Sequence, residues 1–292
     1  MLDQIKGGLF GVAIGDALGV TTEFLTEKEI REKYGYVKEM TGGGFWGLEP
    51  GETTDDTAMT MAVAKGIIKN PEDPVDDIGK EFIAWGNTKP KTIGNTIAAT
   101  FRLFSGDWFE AAKMAHDTFN GKSAGNGSLM RCLPVALLYE NEQKMIDITI
   151  RQSKMTHYDD KAAEACVIYN KIARRLLKGE ELRPGIQAEI KNTCYDTDLE
   201  TEPDCPPDGY VVHTLKWAIY WLYNENSFRD VVLGAVNKGG DSDTIAAVAG
   251  GLKGVHTGYS RIPDEYKRKI VIKEELDQLA ANIYRLRTRE LL

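Results

Sequence analysis

The 292-residue chain is poor in the residues that bind soft metals or form covalent cross-links. It has four cysteines, Cys132, Cys166, Cys194 and Cys205, and four histidines. No two cysteines form a Cys-x-x-Cys pair and no histidine-rich stretch accompanies them. The thiols are therefore expected to be reduced, in a cytoplasmic protein. Positive charge is also short: 36 Lys and Arg face 44 Asp and Glu, a net charge of −8. A general nucleic-acid binder would carry a basic face, so that class is excluded. An anionic ligand is not, because a bound cation reverses the local sign. No apolar run is long enough to span a membrane. The run GGLFGVAIG after Lys6 is interrupted by Asp16 and lacks a cleavage site, so it is not read as a signal peptide. Alternating strand patterns are scarce. VVHTL at 211–215 is ambiguous alone, but its continuation KWAIYWLY favours a buried helix.

Helical periodicity fills the chain. Met59, Ala62, Val63, Gly66 and Ile67 recur at helical spacing, and similar stretches cover 110–118, 133–151, 161–178, 211–223 and 273–287. The expectation is an all-α fold, one compact domain over 1–292, and a monomer. Hydrophobic residues make up 42% of the chain, ample for a sizeable core. Two glycine ridges stand out, Gly7, Gly11, Gly15 and Gly19, and Ala246, Gly250, Gly254 and Gly258. Glycine within a helix costs up to about 1 kcal/mol relative to alanine. Close helix–helix approach supplies a reason for it. Such packing would bring Asp16, Glu23 and the acidic block at 241–243 into one buried centre. TGGGFWGLEPGE (41–52) reads as a glycine-rich loop, and the acidic, proline-bearing 192–209 as a long surface loop.

Two short acidic blocks each open an apolar helical run. One is Thr54-Asp55-Asp56-Thr57; the other is Asp241-Ser242-Asp243-Thr244, preceded by two glycines. Taken alone, each reads as a helix N-cap with first-turn acids. Taken together, they read as more. The helix after the second block is small or apolar almost throughout, so its start is expected to be inside the protein. Buried carboxylates need a cation, and carboxylate and hydroxyl oxygens suit Mg²⁺ or Mn²⁺ rather than zinc. Gly125-Asn126-Gly127-Ser128 is a tight turn of the kind that can offer N–H groups to phosphate. His157, Gly94-Asn95 and Gly209-Tyr210 say little in isolation.

The ordered set GVAIGDALG, GETTDDTAM, IGNT, GNGSLMR, MTHYDD, GYVVHTL and GGDSDTIAAVAGGLKG resembles the ADP-ribosylglycohydrolase family. The resemblance spans about residues 5–263. It implies a compact all-α domain with a two-metal centre, usually two Mg²⁺ or Mn²⁺ ions. Matching positions make Thr54, Asp55, Asp56, Asp241, Asp243 and Thr244 the metal ligands. Glu23, with Asp55 and Asp56, stands at the catalytic positions. Asn95, Gly125, Asn126, Gly127, Ser128, His157 and Tyr210 match the ADP-ribose pocket. The implied partner is an ADP-ribosylated protein or another ADP-ribose conjugate, cleaved at C1″ of the distal ribose. Three positions depart from the pattern. Thr53 replaces an aromatic residue before the first block. His213 stands where many relatives have Asp. Thr92 occupies the place of an aspartate that meets the substrate guanidinium in the arginine-specific bacterial branch, which weakens the expectation of arginine specificity.

Overall fold

The structure is a computed structural model that describes residues 1–289. Fifteen α-helices fill these residues. In the first half they are α1 (Leu2–Gly19), α2 (Glu27–Tyr34), α3 (Asp55–Lys69), α4 (Val75–Asn87), α5 (Asn95–Leu103), α6 (Trp108–Thr118) and α7 (Leu133–Leu138). Then follow α8 (Glu142–Lys154), α9 (Asp160–Leu177), α10 (Leu182–Ile190), α11 (Val211–Asn224), α12 (Phe228–Lys238), α13 (Ser242–Thr257), α14 (Asp264–Lys269) and α15 (Lys273–Arg289). Among the described residues β-pairing is limited to isolated bridges. The all-α expectation holds, and no described helix is long and apolar enough to cross a membrane.

The periodic stretch at 133–151 is two helices rather than one. Tyr139 leaves the helical region with ψ 120°. Asn141 then caps α8, its side chain accepting from Lys144 N. The polar Glu-Asn pair of this break lies inside the apolar period, and local capping overrides the longer pattern.

Helices α1 and α13 form the centre of the fold. Both are buried along nearly their whole length, as expected for helices that are apolar all round. They run antiparallel, and the glycine ridges set their spacing. A Cβ on Gly7 would lie 2.2 Å from Gly254 O, on Gly11 2.1 Å from Gly250 O, and on Gly15 2.1 Å from Ala246 O. On Gly19 it would lie 2.3 Å from Asp243 Cα. Seven of the eight ridge positions thus serve the helix contact. The exception is Gly258, which ends α13 at φ 79°. Because the obstacles are backbone atoms, a methyl group cannot be accommodated by a rotamer change. Gly15→Ala is expected to cost about 3 kcal/mol. A thermal melt within about 1 °C of the parent would contradict this packing.

The antiparallel register carries the C-terminal end of α1 to the N-terminal end of α13. The chain after α1 is then stitched to the chain before α13. Phe24 N donates to Gly240 O at 2.7 Å, and Gly240 N to Leu25 O at 2.8 Å. Thr22 Oγ1 donates to Val236 O at 2.7 Å, and Ser242 Oγ to Gly19 O at 3.0 Å. Glu23 is fixed between these ties. The 192–209 segment forms the loop expected between α10 and α11, and its end is anchored, since Asp241 N donates to Pro207 O at 2.8 Å.

Candidate functional site

The first acidic block is held on α1 by Asp16, which is fully buried. Asp16 Oδ1 accepts from Thr54 N at 3.0 Å; Oδ2 accepts from Thr57 N at 3.1 Å and from Thr57 Oγ1 at 2.5 Å. Thr54 is the N-cap of α3, its Oγ1 accepting from Asp56 N at 3.2 Å. The same hydroxyl donates to Asp56 Oδ2 at 3.2 Å. The capping reading of Thr54 is therefore correct, and the cap also orients a carboxylate.

The two blocks meet through Asp56, whose Oδ2 also accepts from Thr244 Oγ1 at 3.2 Å. Glu23, Asp241 and Asp243 each place a carboxylate oxygen within 4.8 Å of the others. Asp241 sits at the N-cap of α13 yet makes no side-chain cap bond. Its Oδ2 instead accepts from Asn126 Nδ2 at 2.5 Å. Asp55 is half-buried on the outer side. Its N donates to Thr92 Oγ1 at 2.9 Å and its Oδ2 accepts from Gly94 N at 3.2 Å. Trp46 Nε1 donates to Glu23 Oε2 at 2.6 Å.

Burial raises every one of these carboxyls. Asp16 is pushed up to about 7, with hydrogen bonds from Thr57 and Thr54 opposing the shift. Glu23 is pushed up to about 8, by burial first and the Asp241 charge second, against the bond from Trp46. Asp241 is pushed up to about 6, with Asn126 opposing. Asp56 and Asp243 lie well above the usual carboxylate range, through burial and then neighbouring carboxylates. Asp55 is raised by burial, with Thr92 holding it down.

Two oxygens in this cluster, Asp56 Oδ1 and Asp243 Oδ1, are buried and have no hydrogen-bond partner among the described residues. Leaving such atoms unsatisfied costs free energy, and a cluster of like charges adds to it. The donor set, all carboxylate and hydroxyl oxygen, fits a hard divalent cation. Asp56, Asp241 and Asp243 could hold it, with Thr54, Asp55 and Thr244 at the edge, and the Glu23 carboxyl lies against Asp241 and Asp243.

The pocket residues flank this centre. Asn95 is exposed at the head of α5. Leu129 N and Met130 N both close onto Asn126 O, which leaves the N–H groups of Gly127 and Ser128 outside that pattern. Gly125 pairs with Tyr210 across an isolated bridge, and Tyr210 Oη accepts from Lys161 Nζ at 3.1 Å. His157 is buried beneath the turn, its Nε2 3.3 Å from where a Gly125 Cβ would be and 3.2 Å from that of Gly127. Two side chains of the turn face inward. The Asn126 amide spends both donor directions internally, on Asp241 Oδ2 and on Thr214 Oγ1 at 2.9 Å. The Ser128 hydroxyl is buried against Ser153 Oγ at 2.8 Å, so Ser128 has only its backbone to offer a ligand. His213, which the sequence left unexplained, binds Asp208 Oδ1 through Nδ1 at 2.8 Å and packs edge-on to Tyr210.

The pattern of the sequence passed over Trp46, Thr57 and Thr214. Each acts through hydrogen bonds to a residue distant in the chain, which no local period reveals. Asp16 did leave a signal, as the one charged residue in the small and apolar stretch of α1 that follows Lys6.

A family model described as ADP-ribosylglycohydrolase matches residues 1–291. The chain belongs to the ADP-ribosylglycohydrolase family. It is 31% identical to an ADP-ribosyl-[dinitrogen reductase] glycohydrolase of Rhodospirillum rubrum, over 94% of this chain and 92% of that one. It is 28% identical to the ADP-ribosylarginine hydrolase Tri1 of Serratia proteamaculans, over 99% and 81%. A solved ADP-ribosylglycohydrolase-related protein complex superposes with a TM-score of 0.85 at 29% identity, over 98% of both chains.

Proposed function

We propose that this protein is a metal-dependent hydrolase that cleaves the bond at C1″ of ADP-ribose and releases ADP-ribose from a modified protein or a small conjugate. The carrying observation is the pair of unpartnered buried oxygens, Asp56 Oδ1 and Asp243 Oδ1, where the two acidic blocks meet. Relatives named as ADP-ribosyl hydrolases support the substrate class. The reading takes the chain as one domain and a monomer, and its four free cysteines accord with a cytoplasmic setting.

Thr54, Asp55, Asp56, Asp241, Asp243 and Thr244 would hold two Mg²⁺ or Mn²⁺ ions. When bound, these would supply Lewis-acid stabilisation of charge developing at the sugar. Glu23 is the proton-transfer group. Trp46 donates to its Oε2 and so fixes the orientation of the carboxyl. Asp16 acts one layer behind, keeping Thr54 and Thr57 in place. The Gly127 and Ser128 N–H groups, with His157 below and Asn95 and Tyr210 at the sides, receive the diphosphate and ribose.

The leaving group would lie beside Thr92. A cavity of about 290 Å³ opens there, walled by Asp55, Trp85, Pro90, Lys91 and Thr92. Thr92 offers a neutral hydroxyl already committed to Asp55 N. Arginine conjugates are therefore expected to be cleaved weakly, and Thr92→Asp to raise their turnover about tenfold or more. Efficient turnover confined to arginine conjugates in the parent protein would contradict this.

The function is tested with a panel of arginine-linked, serine-linked, polymeric and O-acetylated ADP-ribose in the presence of metal. Free ADP-ribose should appear from at least one conjugate. Binding without release from any of them, or activity on simple phosphate esters instead, would refute the reading.

A further inference from the structure

We infer that Arg131 and Thr156 are positioning residues that fix the tautomer of His157, so that it presents an Nε2–H donor beneath the Gly125–Gly127 turn. The inference deepens the proposed function and rests on its reading of that turn as the diphosphate site.

Arg131 is fully buried yet has no carboxylate partner among its contacts. Its Nε donates to Gln152 Oε1 at 3.0 Å and its Nη2 to Gln152 O at 2.8 Å, while the guanidinium lies 4.5 Å from the centre of the Phe82 ring. Nη2 also donates to Thr156 Oγ1 at 2.8 Å. A guanidinium can only donate, so Thr156 Oγ1 must accept there and retains its own proton to give away. The hydrogen-bonding neighbour able to take that proton is His157 Nδ1, at 2.8 Å. The reverse arrangement, with Nδ1–H donating to Thr156, would leave a buried hydroxyl proton without an acceptor, which is the costlier state. Nδ1 is thus bare and the ring proton sits on Nε2.

The ring edge that meets the turn is Nε2, with Cε1 beside it under Gly127. Side chains on Gly125 or Gly127 would crowd Nε2, at 3.3 and 3.2 Å, so the glycines leave the ring open toward the turn. Burial, with the Arg131 charge second, depresses His157 to about 3, so the ring stays neutral and the tautomer persists across working pH. Burial lowers Arg131 only to about 9, so the guanidinium stays charged. A buried positive charge without a carboxylate then favours an anion above it, where the diphosphate is placed.

The tautomer is read directly from long-range ¹H–¹⁵N correlations of the labelled, ligand-free protein, with His157→Gln used to assign the resonance. The expected spectrum shows His157 with a protonated Nε2 and a bare Nδ1. Thr156→Val removes the proton donor at nearly constant shape and should redistribute the tautomers. It should also weaken binding of free ADP-ribose about tenfold. Thr156→Ser keeps the hydroxyl and should retain both the spectrum and the affinity. A parent spectrum with Nδ1 protonated overturns the inference, whether or not Thr156→Val folds. So does a shifted tautomer with unchanged ADP-ribose affinity, or a parent protein that does not bind ADP-ribose. Because the spectrum is taken without ligand, absent turnover on every conjugate would count against the hydrolase reading and not against the tautomer.

Discussion

Asp243→Asn is expected to lower release of ADP-ribose about a thousandfold while making the metal-free protein more resistant to heat. Both effects have one cause. Asp243 is buried, its Oδ1 has no partner, and Glu23 and Asp56 press on it as like charges. An amide of the same shape removes one anionic ligand and, with it, much of the charge stabilisation that a metal would provide to the sugar. In the absence of metal the same change relieves repulsion and allows an N–H to reach a neighbouring carboxylate. Each kcal/mol of relief should raise Tm by about 2–4 °C for a chain of this size. Activity assays and thermal melts in chelator check the two halves. A variant that loses activity and stability together would indicate a structural role for Asp243 instead of a ligand role.

A second large effect is the dependence of metal-free stability on pH. Asp16 and Glu23 are pushed up to about 7 and about 8 in the folded state. The native protein therefore binds more protons than the unfolded chain, and stability falls as pH rises. His157, buried and neutral with a folded value near about 3, acts in the opposite direction, but only below its unfolded value of about 6.5. Between about pH 6.5 and 8 the carboxylates set the direction, and each titrating proton contributes about 1.4 kcal/mol per pH unit. Tm in chelator should fall by several degrees across that interval. Added Mg²⁺ or Mn²⁺ should raise it, and by more at pH 8 than at pH 6.5, because the cation displaces protons. A metal-free Tm that rises over this interval would contradict the buried-carboxylate account.

Much of this site was legible in the sequence, for physical reasons that differ from residue to residue. The glycine ridges were readable because an unpaid cost within a helix demands an explanation, and seven of their eight positions do face the partner helix. Their register then dictates that Glu23 meets Asp241 and Asp243. Capping and metal ligation appeared as rivals at Thr54, but one hydroxyl performs the cap and orients Asp56 as well. Side-chain direction was not legible. Asn126 and Ser128 lie in the expected turn, yet their side chains point into the protein. The break between α7 and α8 was hidden because the apolar period continues across it, while the decisive signal is the Asn141 cap. The hydrogen bond from Trp46 to Glu23 spans a glycine-rich loop whose path no periodicity fixes.

The most direct test of the central claim is release of ADP-ribose by protein stripped of metal with chelator and then supplied with Mg²⁺ or Mn²⁺. The account predicts that the stripped protein is inactive and that either ion restores release of free ADP-ribose. Unchanged release from the stripped protein would contradict it.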